Sequence, residues 1–161
     1  LYAKHYETRE VIPDELITKI QNQGTFNQGF MTTELLAAAL LDMELHNLTD
    51  TENLNVVAFE KETMDKLGLI PEIAPRYRAT YFSHIIGGYA AGYYSYLWAE
   101  VLDTDAFEAF KEHGVFDKNT ADSFRKNILE KGGTEDPMTL YRGFRGADPS
   151  LEPLLKNRGL K

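Results

Sequence analysis

The sequence predicts an all-α domain of about seven helices, on three observations. Apolar residues recur at helical spacing over most of the chain, prolines and glycines punctuate those stretches where helices should begin and end, and no stretch reads as a strand or an internal repeat. At 161 residues the chain has the length of one ordinary domain, long enough to bury a core, and residues 1–161 read as a single unit without linkers or low-complexity tracts.

Pro13 opens the first helix, with Leu16, Ile17 and Ile20 at helical spacing, and Gly24 closes it. Residues 32–48 are apolar almost all round, so this helix is expected to be buried on most sides in the middle of the domain. A third helix is expected over 55–67, with Val56, Val57, Phe59, Met64 and Leu67 turned inward, ending before Gly68. Pro71 and Pro75 then break the chain, and the stretch RYRATYFSH at 76–84 is expected to be a non-helical aromatic loop bounded by Gly87-Gly88. From Tyr89 a helix should run through Trp98 to residue 102, with a second piece over 105–112 capped by Gly114. Asp117 caps the next helix, which carries Phe124, Ile128 and Leu129 and stops at Gly132-Gly133. Asp136-Pro137 and Asp148-Pro149 each place an acidic cap before a first-turn proline, predicting two short terminal helices.

Composition removes several function classes. No apolar run approaches the roughly 18 residues that a membrane span needs. The net charge of -8, with no Lys/Arg-rich stripe, gives a nucleic-acid partner no electrostatic footprint. The absence of cysteine excludes disulfide scaffolds and thiolate metal sites. The chain opens at Leu1 with neither an initiator Met nor a signal pattern, so an excised piece is expected. Any targeting signal then sits upstream, and the compartment is left between cytoplasm and periplasm.

The chemistry concentrates between residues 77 and 96, where six of the nine tyrosines fall. Tyr89, Tyr93 and Tyr96 follow i, i+4, i+7 spacing and would share one helix face, with Tyr94, Leu97, Trp98 and Val101 on the other. Phenols with pKa near about 10 are uncharged donors at neutral pH, suited to stabilising an oxyanion. His84 adds a donor or acceptor, and Gly87-Gly88 lets backbone approach a ligand closely. An aromatic core with hydroxyls at its surface is the competing account of the same spacing.

The string SHIIGGYAAGYYSYLW over 83–98 resembles the segment H-x-x-G-G-Y-x-A-x-Y-Y-x-Y-L-W of the thimet oligopeptidase and peptidyl-dipeptidase family of zinc metallopeptidases. The likeness continues through Thr25-Phe26-Asn27-Gln28-Gly29-Phe30 and the 35–43 helix, from Gly132-Gly133 through Asp136-Pro137, and over the ending from Leu154-Leu155 to Gly159-Leu160. It implies the C-terminal portion of a neurolysin-like zincin catalytic domain, nearly all-helical around a deep channel, with zinc held by an HExxH helix and a later glutamate. Neither is present: His5, His46, His84 and His113 include no i, i+4 pair, and none is followed by Glu-x-x-His. No metal ligand is therefore assigned here. Zinc is expected in the full-length parent, none bound by this fragment, and the fragment alone is expected to be inactive.

By the same resemblance, Tyr96 would donate to the oxyanion of the tetrahedral intermediate with Tyr93 in support. His84 and Tyr89 would bind the substrate backbone near the scissile bond, beside Gly87 and Gly88. The implied partners are short peptide substrates and the missing N-terminal part of the same chain. Surfaces meant for that part should be left exposed, so an apolar patch or a fragment dimer is also expected.

Other residues have plainer accounts. His46 lies four residues after Asp42 near a helix end, His113 beside the capping Gly114, and His5 in an N-terminal stretch of no clear pattern. Arg76 and Arg78 flank Tyr77 and could pair with a substrate C-terminal carboxylate, although solvated loop arginines are commoner. Ala147 stands where the family usually has arginine, which removes a local ion-pair partner. The leading reading is a peptidyl-dipeptidase, favoured over the endopeptidase branch by the His5-Tyr6 and 26–43 segments. Its alternatives are a non-catalytic helical domain binding peptides or partner helices, and an inert folding module.

Overall fold

In the computed structural model, which describes residues 3–161, seven α-helices account for most of the chain; the opening at Leu1 lies outside the described residues. An isolated antiparallel bridge between Lys4 and Val11 is the extent of β pairing among the described residues. No described helix is long and apolar enough to cross a membrane.

Helix α1 (Asp14–Thr25) starts after Pro13, with Asp14 and Glu15 in its first turn where they favour the positive end of the helix dipole. None of its residues is buried, and Leu16, Ile17 and Ile20 face outward. Helix α2 (Gln28–His46) begins four residues earlier than the apolar pattern suggests, after Asn27 turns the chain in a left-handed conformation (φ 57°). The expectation of burial on most sides fails. Ala37, Ala38, Ala39, Leu41 and Asp42 are buried, but Leu36, Leu40 and Met43 are exposed, because this chain supplies neighbours to only one side of the helix.

Helix α3 (Val56–Lys66) is capped by Asn55, whose side chain accepts the Ala58 N–H at 3.0 Å. Its buried residues are Glu60 and Thr63, while Val57 and Leu67 are exposed. The polar pair goes inside because Glu60 accepts hydrogen bonds from the Ala79 N–H at 2.7 Å and from Arg78 Nε, tying the following loop to the helix. That loop is tighter than expected, folding into two 3-10 turns, Ala79–Tyr81 and Ser83–Ile86.

The largest departure follows. Residues 89–94 form a run of turns, and helix α4 (Ser95–His113) starts only at Ser95, so Tyr89 and Tyr93 lie outside it. Ala91 sits at φ 49°, outside right-handed helical space, and the N–H groups of Ala91 and Tyr93 donate to Asp42 on α2. The helix that should break near residue 102 is continuous, with the Thr104 hydroxyl donating back to the Glu100 carbonyl at 2.7 Å. It ends at Gly114 (φ 114°).

Helix α5 (Lys118–Phe124) has the expected Asp117 cap, accepting the Thr120 N–H at 2.7 Å, and runs into a π turn at Arg125–Leu129. Helix α6 (Pro137–Arg145) likewise has its Asp136 cap and first-turn Pro137. Asp148-Pro149 starts no helix: Asp148 pairs instead with Arg142 at 2.5 Å, and α7 (Glu152–Asn157) begins later, with Pro153 in its first turn. Helix α7 packs on α4, where Arg158 joins Glu100 and the Thr32 hydroxyl of α2. A second buried link joins α6 to α4: the Tyr141 hydroxyl donates to Asp105 at 2.6 Å. Arg145 closes that face by pairing with Glu112. Bordered by α4, the π turn and the start of α6 lies an apolar groove of about 650 Å³, which includes Trp98, Phe107, Phe110 and Met138.

Candidate functional site

The site rests on a core of Ala38 and Ala39 from α2 with Phe82, Ile85 and Tyr93, against which Leu35 and Tyr77 pack. Alanines in α2 leave room for the aromatic rings. Phe82, between the two 3-10 turns, is fully buried and meets Tyr93 edge-on with centroids 4.9 Å apart, and Tyr77 face-on at 5.3 Å.

Above this base the structure gathers four of the six residues named from the sequence. The His84 ring lies 5.4 Å from Tyr93, 5.9 Å from Tyr89 and 6.3 Å from Tyr96, centroid to centroid. Tyr89 stacks on Tyr96 at 5.0 Å, and Tyr93 meets Tyr96 edge-on at 5.1 Å. The helical spacing thus brings these rings together although only Tyr96 belongs to the helix; the turns before α4 curl back far enough to do the same. The other two, Gly87 and Gly88, are exposed, and a Cβ on either would meet nothing within 4 Å, so they adjoin open space beside His84 without lining the cleft.

Tyr93 differs from the expectation of a cleft-facing phenol in being only 3% exposed. Burial pushes its pKa above the ordinary tyrosine value, opposed in part by the Arg76 guanidinium. Tyr96 is open to solvent, yet its pKa is pushed up to about 12, first by its side-chain hydrogen bond with Tyr89 and then by desolvation. Both phenols stay protonated, and so remain donors, throughout the neutral range. The Nδ1 atom of His84 is buried and has no hydrogen-bond partner, a cost that most buried polar atoms avoid.

A cleft of about 580 Å³ opens beside these rings, lined by Leu35, Arg76, Tyr77, His84 and Tyr93 together with Tyr96, Ala99, Glu100 and Asp103 of α4. Desolvation, and then the neighbouring Glu100, raise the Asp103 carboxyl above its usual range. The two arginines once grouped together separate here: Arg78 is taken by buried Glu60, while the Arg76 guanidinium lies 5.9 Å over the Tyr77 ring and lines the cleft. Sequence reasoning missed Asp42 and Glu60 as the acids that fix the loops of the site. The available signal was Asp42 standing within the apolar run over 35–45 of α2, a position that its i, i+4 pairing with His46 also explains. That pairing is present at 2.9 Å.

Among the described residues no group of three or more His, Asp or Glu is placed to hold a metal ion, and His84, the histidine of the cleft, has rings rather than carboxylates around it. The described residues therefore do not fit a zinc site of their own.

Comparison with known proteins agrees with the motif. Residues 1–160 match the family model described as Peptidase family M3. The chain is 45% identical to a dipeptidyl carboxypeptidase of Escherichia coli (strain K12), covering 99% of this chain and 24% of that protein. It is 40% identical to oligopeptidase A of Haemophilus influenzae, over 97% of this chain and 23% of the relative. Saccharolysin of Saccharomyces cerevisiae is 31% identical, with 99% and 23% covered. The chain spans about a quarter of the length of these curated relatives, and it belongs to peptidase family M3.

Proposed function

We propose that this chain forms the substrate-binding and oxyanion-stabilising wall of a zinc-dependent oligopeptidase, and that its parent releases C-terminal dipeptides from short peptides. The observation that carries the reading is the cluster of phenols, Tyr89, Tyr93 and Tyr96, gathered beside His84 at an open cleft. Water attacking a peptide carbonyl builds negative charge on the carbonyl oxygen, and uncharged donors fixed beforehand stabilise that charge without reorganising. Tyr96 has the solvent access and high pKa this role requires; Tyr93, packed edge-on against it, limits where its ring can go. His84 and Tyr89 then bind the substrate backbone, with Gly87 and Gly88 leaving room beside them.

The dipeptidyl branch is supported by the 45% identity to the Escherichia coli dipeptidyl carboxypeptidase. Since the described residues hold no metal-ligand set, zinc is assigned to the remainder of the parent. The same remainder is the partner for the apolar groove along α4 and for the outward apolar face of α1. A chain a quarter the length of its relatives leaves ample polypeptide to cover them.

The test is Tyr96→Phe in the full-length protein, with zinc content matched to wild type and turnover of a short peptide measured. Phenylalanine keeps the ring stacking and removes the hydroxyl, so kcat should fall roughly 100- to 1,000-fold. Unchanged kcat would remove Tyr96 from the role, and a zinc-loaded wild type that cleaves no peptide would leave the chain a peptide-binding module.

A further inference from the structure

We infer that Asp42 is a positioning residue for Tyr96, acting through the turn that joins Tyr89 to α4; the inference rests on the oxyanion role proposed for Tyr96. Asp42 is fully buried on α2, and a carboxylate in that setting persists only where hydrogen bonds replace the water it gave up. Two backbone groups replace it. The Ala91 N–H donates to Oδ1 at 3.0 Å and the Tyr93 N–H donates to Oδ2 at 2.9 Å, while His46 Nδ1 lies 2.9 Å from Oδ1 and equally 2.9 Å from the Asp42 backbone carbonyl oxygen. One side chain thus grips backbone 49 and 51 positions away, with both of its oxygens engaged.

What it grips matters more than that it is satisfied. Ala91 is held at φ 49°, a conformation that a residue with a Cβ adopts only when its surroundings enforce it. The Tyr93 carbonyl in turn accepts the Tyr96 N–H at 3.3 Å, so the backbone of Tyr93 is held to the carboxylate on one side of its Cα and to the first turn of α4 on the other. Asp42 therefore sets the direction in which α4 leaves the turn, and with it where the Tyr96 hydroxyl stands relative to Tyr89 and His84. An apolar residue at 42 could not hold the two N–H groups of this turn.

The experiment is a double-mutant cycle in the zinc-loaded full-length protein, with Asp42→Asn, Tyr96→Phe and the pair assayed for kcat and KM on a short peptide. Amide hydrogen exchange over residues 88–94 is followed in parallel. Asparagine keeps the size of the side chain but offers one acceptor oxygen for two donors. Asp42→Asn should lower kcat on the order of 10- to 100-fold with a smaller change in KM, as expected when a catalytic group is misplaced by about an ångström. The loss should shrink when Tyr96 is already phenylalanine, and exchange should speed up at 91 and 93 while the interiors of α2 and α4 keep their protection.

Equal losses in both backgrounds, or exchange rising throughout α2 and α4, would show Asp42 to be an ordinary core residue and overturn the inference. If Tyr96→Phe alone leaves kcat unchanged, the oxyanion reading fails separately. The exchange pattern and the kcat of Asp42→Asn then decide whether the acid positions the turn for catalysis at all. Adding Ala91→Gly to Asp42→Asn supplies a rescue, since glycine takes positive φ without strain and should restore part of kcat; no restoration counts against the inference. Should Asp42→Asn fold poorly, wild-type exchange still decides: the Ala91 and Tyr93 amides, held by the carboxylate, should exchange more slowly than the Gly88 amide of the same turn, and equal exchange at all three overturns the inference.

Discussion

Phe82 shows how much of the site depends on one ring. It is fully buried, contacts Tyr77 and Tyr93, and lies 5.9 Å from His84, so truncating it removes the base on which three site residues rest. Phe82→Ala should cost about 3–5 kcal/mol of stability, seen as a lower midpoint in chemical denaturation of the chain. Tyr96 offers a contrasting test, because its raised pKa predicts pH behaviour. Its folded pKa of about 12 exceeds the ordinary tyrosine value of 10.0, so the stability from its proton is fully present below pH 10 and lost as pH rises through about 12. Any alkaline fall in kcat below about pH 10 should therefore survive unchanged in the residual activity of Tyr96→Phe. A limb that vanishes in that variant would mean the phenol ionises much earlier than its neighbours dictate. At this scale the sequence was informative about identity and silent about environment: His84 and the tyrosines could be named from their spacing, but Tyr93's burial draws on Ala38 and Ala39 of a distant helix as well as on the loop before it, and Arg78 is captured by Glu60, 18 positions away.

Secondary structure was legible wherever a local signal decided it. Asn55, Asp117 and Asp136 cap helices because each side chain accepts an N–H three residues on, an interaction written within four consecutive residues. The misreadings share the opposite property. Tyr89 to Tyr94 has helical spacing, but a carboxylate from α2 takes the N–H groups of Ala91 and Tyr93, and Asp148 looks like a cap yet is engaged by Arg142. For α6, the Thr139 N–H and then its hydroxyl hold the Asp136 carboxyl below its usual pKa. A depressed pKa means that this cap contributes fully above the unfolded value, near about 3.9, and is lost as pH falls through the lower folded value. Asp136→Asn retains an acceptor for the same N–H without a charge to titrate. On acidification from neutral pH to about 3, amide exchange across α6 should therefore accelerate more in wild type than in the variant.

For the molecule as a whole, the all-α architecture and the number of helices could be read from punctuation and period, whereas the uneven burial could not. Periodicity marks an apolar face without saying whether this chain or another stretch of polypeptide will cover it. Leu16 and Ile20 of α1, Leu40 of α2 and Phe107 of α4 all satisfy the helical pattern and all lie exposed. If the rest of the parent covers them, the isolated 161-residue chain should bind a dye such as ANS or self-associate, and the full-length protein should do neither to the same extent. Equal dye binding by both would mean that these faces stay open in the parent.

Helix α4 gives that arrangement a further meaning, because Ala99 and Asp103 border both the tyrosine cleft and the apolar groove. The two surfaces share a rigid wall, so ligation of one cannot be thermodynamically blind to ligation of the other if that wall shifts. Whatever factor a groove-bound segment adds to peptide affinity, a bound peptide must return to the segment, and the helix would then serve as the lever through which assembly and substrate capture are coupled.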